Sequence, residues 1–327
     1  STATGYLQNA RQRTNLTIWA NSTVKKILFE MTRQGPQAHC IEVVIDGISR
    51  FVEADEIILS AGAIGSPQLL MLSGIGPQEH LKKHGIPPIL NMPGVGQNLS
   101  DHPLIPIIWA TKDEVSLNPM GPNQQVGLRY TAQGSKLKND MIVYMNEMIC
   151  RKNIGGEIEA YGFTINLGLN LALSHGELLL RSDNYMDQPH LDYNLLDDEE
   201  DLRRCRDGIR AMVSLENHTA LAERISRRMS PLDSDLQSNT NLNNWLRENV
   251  GTGHHISCTA KMGPKSDPMS VVDQTGRVHG VRGLRIVDAS IMPTCVRANI
   301  NTTVMVMAER IADFITNHGS NKHIASQ

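Results

Sequence analysis

The run Phe51-Val-Glu-Ala-Asp-Glu-Ile-Ile-Leu59 flows into Ser60-Ala61-Gly62, and a helix-like stretch from Ser66-Pro67 follows. An apolar strand that ends in a small-residue turn lets backbone approach a ligand closely. Proline suits the first helical position, so a helix is expected from Ser66 to Leu72, ended by Gly74 and Gly76. Leu16–Ala20, Val24–Phe29 and Ile41–Ile45 read as earlier strands, with Asp46-Gly47 as a hairpin turn. Gln78–His84 reads as a short helix stopped by Gly85.

The stretch from Leu104 to about Asp192 is strand-rich. Leu104–Trp109, Met141–Tyr144, Gly162–Ile165 and Leu178–Arg181 are expected to build one sheet of a second domain. Asp197–Asp201 is an acidic helix start, expected to be a solvated cap rather than a metal site. A last amphipathic helix is expected from Thr303 to about Thr316.

At 327 residues the chain can bury one large or two medium cores. A net charge of -3 gives no general drive toward nucleic acid or anionic membrane. No apolar run is long enough to span a bilayer, and no charged-then-apolar leader opens the chain. A soluble protein is expected, cytoplasmic or secreted as part of a longer precursor. Five scattered cysteines without a CxxC argue against a disulfide scaffold or zinc ribbon. P-loop, HExxH, GxSxG, EF-hand and GxGxxG patterns are all absent.

Gly251-Thr-Gly-His-His-Ile-Ser-Cys-Thr-Ala-Lys-Met-Gly263 places two histidines side by side. Neighbours on a strand point to opposite faces, so His254 and His255 are not expected to share a metal ion. A catalytic base and ordinary hydrogen-bonded packing both remain open, because histidine titrates near neutral pH.

Gly62–Gly76, its continuation Gly94–Pro103, and Ile286–Asn299 are similar to signature stretches of the glucose-methanol-choline (GMC) oxidoreductases. The stretches stand in that family's order and spacing, and the likeness is weakest between about Lys112 and Glu248. It implies an α/β plus α+β fold: part of a doubly wound FAD-binding domain, with a substrate domain on an antiparallel sheet. The implied boundaries are 1–103 for the FAD-binding part, 104–250 for the substrate domain and 251–327 for the active-site strand and return.

The resemblance further implies FAD, an alcohol substrate and hydride transfer to the flavin. It assigns the base to His255 and its partner to Asn299, with His254 and Cys258 as substrate-wall residues. Cys258 stands where the family carries glycine, and Gly65 where it carries asparagine. For the cofactor it implies Val24 at the adenine, Ala61 and Gly62 in the ADP cradle, Asp288 and Ala289 near the pyrophosphate, and Thr303 on the flavin side. No metal is implied.

Family members begin with a GxGxxG unit that this sequence lacks. The expected partner is therefore that N-terminal FAD-binding segment, as a separate chain or a cleaved fragment. A hydroxynitrile-lyase-like enzyme on the same fold and a non-catalytic interaction subunit are the rival readings.

Overall fold

The computed structural model describes residues 1–112, 124, 126–152 and 158–324. Strands Ser22–Thr32, Gly35–Ile45 and Ile48–Glu53 form an antiparallel sheet. Asp46 and Gly47 join the last two with φ of +51° and +78°, the geometry that the tightest hairpins require. The expected strand over Leu16–Ala20 does not form; Leu16 N–H instead closes a local turn on Arg13 O at 3.2 Å.

The run 51–59 is not one strand. Its first part pairs with Gly35–Ile45, and Ala54 N–H then turns to His39 O at 2.9 Å. Ile57–Leu59 leaves that sheet and pairs in parallel with Leu284–Ile286. Apolar content alone could not reveal this change of partner, because both halves favour strand.

The following helix spans Gly62–Leu72, so it starts before Ser66 and holds Pro67 inside it. Proline has no N–H for the carbonyl four residues back. The Thr259 hydroxyl donates to that carbonyl, Ala63 O, at 2.6 Å. A distant segment thus replaces a bond that the helix itself cannot make.

The larger sheet is antiparallel and has six strands. Its order is Ile225–Ser230, Pro103–Thr111, Ile158–Leu169, Met141–Lys152 and Gly127–Tyr130, with Gly251–Thr252 also on Pro103–Thr111. Strand alternation gives the sheet two different faces. Ile105, Leu167 and Val143 point into a core with Leu202, Cys205 and Ile209 of the helix Glu199–Ser214. Leu104, Gly168 and Ile142 form the neighbouring cross-strand row and face a cavity.

Gly176–Leu179 does not join this sheet. It pairs with His190–Asp192 and Gln97–Leu99, and Leu178 packs in the core of the parallel strand pair. The apolar run 178–180, with Leu178 and Leu180 buried, reads as a strand in sequence but does not say which sheet it joins.

The acidic helix start is only partly a solvated cap. Asp198 does cap the helix, accepting Glu200 N–H at 2.8 Å. Asp201 is fully buried, with Ser174 N–H at 2.8 Å and the guanidinium of buried Arg204 beside it. Arg204 also binds Asp140 at 2.9 Å. Burial alone would raise the Asp140 carboxyl; Ser135, Ala132 N–H and Arg204 outweigh it and hold the group below its ordinary value. The last helix runs Ile300–Ile324, longer at both ends than its amphipathic stripe indicates. No helix among the described residues is long and apolar enough to cross a membrane.

Candidate active site

Two antiparallel segments build the site. Gly251 and Thr252 pair with Leu104 and Pro103, and Ser257 and Ser100 exchange backbone bonds at 2.9 and 3.1 Å. The turn between them carries His255 and brings it against His102. The two rings meet edge to face, with centroids 4.9 Å apart and Nδ1 to Nδ1 at 3.0 Å.

Buried Asp101 pins both histidines through their backbone. Its Oδ1 accepts His102 N–H at 2.7 Å and His255 N–H at 2.9 Å. Its other oxygen accepts the Thr252 hydroxyl, and that hydroxyl oxygen accepts His254 N–H at 2.9 Å. One carboxylate therefore sets the shape of the whole turn.

His254 has φ +60° and is exposed, and it is not among the residues that line the cavity. The two histidines diverge because of this left-handed backbone step, not through strand alternation, since the strand ends at Thr252. Among the described residues no His, Cys, Asp and Glu group could hold a metal ion.

His255 and Asn299 line one cavity of about 370 Å³. Leu104, Ile142 and Tyr144 supply apolar wall, and Gly168 leaves its floor open: a Cβ there would lie 2.7 Å from Ile142 Cγ2. Asn299 immediately precedes the helix Ile300–Ile324. Its loop is tied down from several sides. Val296 O faces His102 Nε2 at 2.8 Å, and Arg297 O accepts Arg129 at 2.6 Å and Asn170 at 3.3 Å. Arg297 itself donates to Lys138 O at 2.6 Å.

Burial pushes His255 below the ordinary histidine value, Asp101 opposes the shift, and His254 adds to it. His102 is lowered too, first by burial, against the Val296 carbonyl, which favours its charged form. Burial pushes the Cys295 thiol up to about 12, so it keeps its proton beside them.

Cys258 is fully buried with φ +73°, a conformation that suits glycine. It packs with Met292 and Cys295 and is not among the cavity-lining residues.

Of the residues expected to meet a cofactor, Val24 and Ala61 line a second groove of about 540 Å³, beside Gly65, whereas Gly62, Asp288, Ala289 and Thr303 are not among its lining residues. The parallel strands Ile57–Leu59 and Leu284–Ile286 end beside it. Asp288 Oδ2 accepts Gly62 N–H at 3.0 Å and the Ser66 hydroxyl at 2.6 Å, and Oδ1 accepts Ser290 N–H at 2.8 Å. Asp288 thus clamps the two strand-end turns together. Gly62 takes φ +79° with nothing within 4 Å of an added Cβ. Ala289 is buried, with its carbonyl on Cys258 N–H at 3.1 Å. Thr303 sits half-buried one turn into the last helix.

Asp101 and His102 escaped the sequence reading. Their signal was present in Ser100-Asp-His-Pro103, at the end of a family-like run, but nothing local shows that His102 faces His255.

Comparison with known proteins follows this geometry. Residues 1–104 and 172–308 match the two models described as GMC oxidoreductase, together more than half of the chain. An oxygen-dependent choline dehydrogenase of Ectopseudomonas mendocina (strain ymp) is 36% identical over 96% of this chain and 59% of its own length. The crystal structure of pyridoxine 4-oxidase from Mesorbium loti superposes with a TM-score of 0.86 at 28% identity, covering 97% of this chain and 62% of that one. A formate oxidase shares the fold, with a TM-score of 0.83 at 23% identity, over 95% of this chain and 62% of that one. The chain thus spans 59% of the length of the choline dehydrogenase it matches. That relative carries the matched region and the rest of its length in one chain, which lends no support to a separate N-terminal subunit. With both family models matched in order and the fold shared end to end, this chain belongs to the GMC oxidoreductases, whose cofactor is FAD.

Proposed function

We propose that this chain supplies the substrate side and part of the FAD site of an enzyme that oxidises a small-molecule alcohol at its CH–OH carbon. The observation that carries this reading is the meeting of His255 and Asn299 in one cavity. A neutral imidazole at His255 takes the hydroxyl proton as the carbon loses hydride. Asn299 hydrogen-bonds the same oxygen and orients the carbon, and it has no basic group to compete for the proton. The apolar row Leu104 and Ile142 keeps water from the reacting carbon.

FAD, when bound, supplies the hydride acceptor. The groove holding Val24 and Ala61 fits part of such a group in size and in its largely apolar walls. Gly62, Asp288 and Ala289 shape the turn at its end, and Thr303 stands on the helix after Asn299.

The rest of the site comes from a preceding segment of a longer protein. Ile58 and Val306 support this, being 45% and 62% exposed on the parallel strand pair and the last helix. Boundaries at 103/104 and 250/251 are part of the same proposal. The core of the larger sheet draws on residues 105–246, whereas the other core draws on both flanks and borrows Leu178 and Leu180.

The test is anaerobic mixing of alcohol with the full-length FAD-loaded protein, following the flavin absorbance. In His255→Ala, bleaching should slow at least about a hundredfold. Near-normal bleaching rejects His255 as base, and wild-type protein that turns over substrate without bleaching is a lyase instead. A colourless full-length protein points to the interaction subunit. Because the working form is neutral, the wild-type rate rises with pH through the His255 value and is flat above it. Burial and His254 lower that value, Asp101 raises it, and neutral His102 and protonated Cys295 bring no charge beside it, so the inflection is expected below the ordinary histidine range. An inflection above that range assigns the proton to another group.

A further inference from the structure

The pair His102–His255 carries more than proximity. His102 Nε2 lies 2.8 Å from Val296 O, and a carbonyl can only accept. The hydrogen of a neutral His102 is therefore on Nε2, and its Nδ1 holds a lone pair. That Nδ1 is 3.0 Å from His255 Nδ1. Two lone pairs cannot face each other at this distance, so His255 Nδ1 must carry the hydrogen. One proton position then remains, and His255 Nε2 is left as a bare acceptor.

We infer that His102 is a positioning residue that fixes the tautomer of His255, with Nδ1 protonated and Nε2 free to accept the substrate proton. The chain runs from Val296 O through both rings to the cavity. Its anchor is the same loop that carries Asn299, so one backbone carbonyl links the orientation of the base to its partner. Cys295 Sγ lies 3.2 Å from His102 Nε2, but a bare Nε2 would face the Val296 carbonyl oxygen at 2.8 Å lone pair to lone pair, so the S–H turns to His255 O at 3.8 Å instead. Burial keeps both rings in the neutral forms that the arrangement needs. Asp101 holds the two backbones from below, independently of either ring.

The inference rests on the proposed base role of His255 for its purpose, but the tautomer can be measured without any turnover. Ring nitrogen NMR of the full-length FAD-loaded protein, labelled with ¹⁵N-histidine, distinguishes protonated from bare nitrogens. The His255 signals are identified by their loss in His255→Ala. The expected result is a protonated Nδ1 and a bare Nε2 at neutral pH. His102→Gln keeps a donor that can reach Val296 O, but without the ring its one acceptor, the amide oxygen, is no longer held at the Nδ1 position that faces His255. In that variant the His255 proton should move to Nε2 in part of the population. The limiting rate of flavin reduction should fall roughly tenfold or more, with KM little changed. A wild-type His255 protonated on Nε2 overturns the inference, as does an unchanged tautomer in His102→Gln. Failure of His255→Ala to slow reduction instead overturns the base role and leaves the tautomer result standing.

Discussion

In the large antiparallel sheet, the strand Pro103–Thr111 turns Ile105, Ile107 and Trp109 into a closed core, all at most 1% exposed. In the parallel pair, Ile57 and Leu59 are buried and Ile58 between them is 45% exposed. The first region completes its burial from its own helices and even encloses charge, since Asp140, Arg204 and Asp201 sit at full burial. The second closes one face and leaves apolar side chains on the other. Parallel strands are normally covered on both faces. The difference separates a self-sufficient antiparallel sheet from a parallel pair that relies on long-range contacts.

The largest expected effect lies in the self-sufficient region. Arg204→Met leaves two buried carboxylates without their cation and should cost about 3–5 kcal/mol. Urea unfolding read by the fluorescence of buried Trp109 and Trp245 measures it. A loss under about 1 kcal/mol would show that the carboxylates reprotonate or reach water, and the enclosure argument would fail.

A middle effect is expected where the segment around Thr259 meets the helix Gly62–Leu72. Thr259→Val removes the hydroxyl that serves the Ala63 carbonyl opposite Pro67. Leaving that carbonyl unserved should cost about 1–3 kcal/mol. The same urea midpoint reads it, and a neutral result means that the proline helix satisfies its own carbonyl.

The smallest effect is at the open face. Ile58→Ser should change the stability of this chain by only about 0.5 kcal/mol. In the full-length protein, a covering segment would raise the loss to about 1.5–3 kcal/mol. Equally small losses in both would remove the support that Ile58 gives to a covering segment.

How much was legible beforehand varies with the range of the contacts involved. The Asp46-Gly47 turn and the Gln78–Lys83 helix end follow from local conformational preference, and both stand where local preference puts them. The run 51–59 and the strand Gly176–Leu179 misled, because apolar content does not say which partner a strand will choose. His255 and Asn299 were picked out by resemblance, and the structure sets both at one cavity. Cys258 looked like a wall residue, yet its side chain is packed away beneath the site; what the position demands is a left-handed backbone, which explains why glycine suits it.

By itself the sequence determined local turns and helix ends, the family and the residue types available for proton transfer, because these depend on turn chemistry and signature order. Tertiary structure alone decided that Asp101 pins both histidine backbones and that His102 faces His255. It also decided that Val296 O sets the direction of that pair. Apart from the bond between the neighbours Asp101 and His102, those contacts join segments more than 150 residues apart, at separations of 154, 153 and 194 positions, and no local pattern encodes such a meeting.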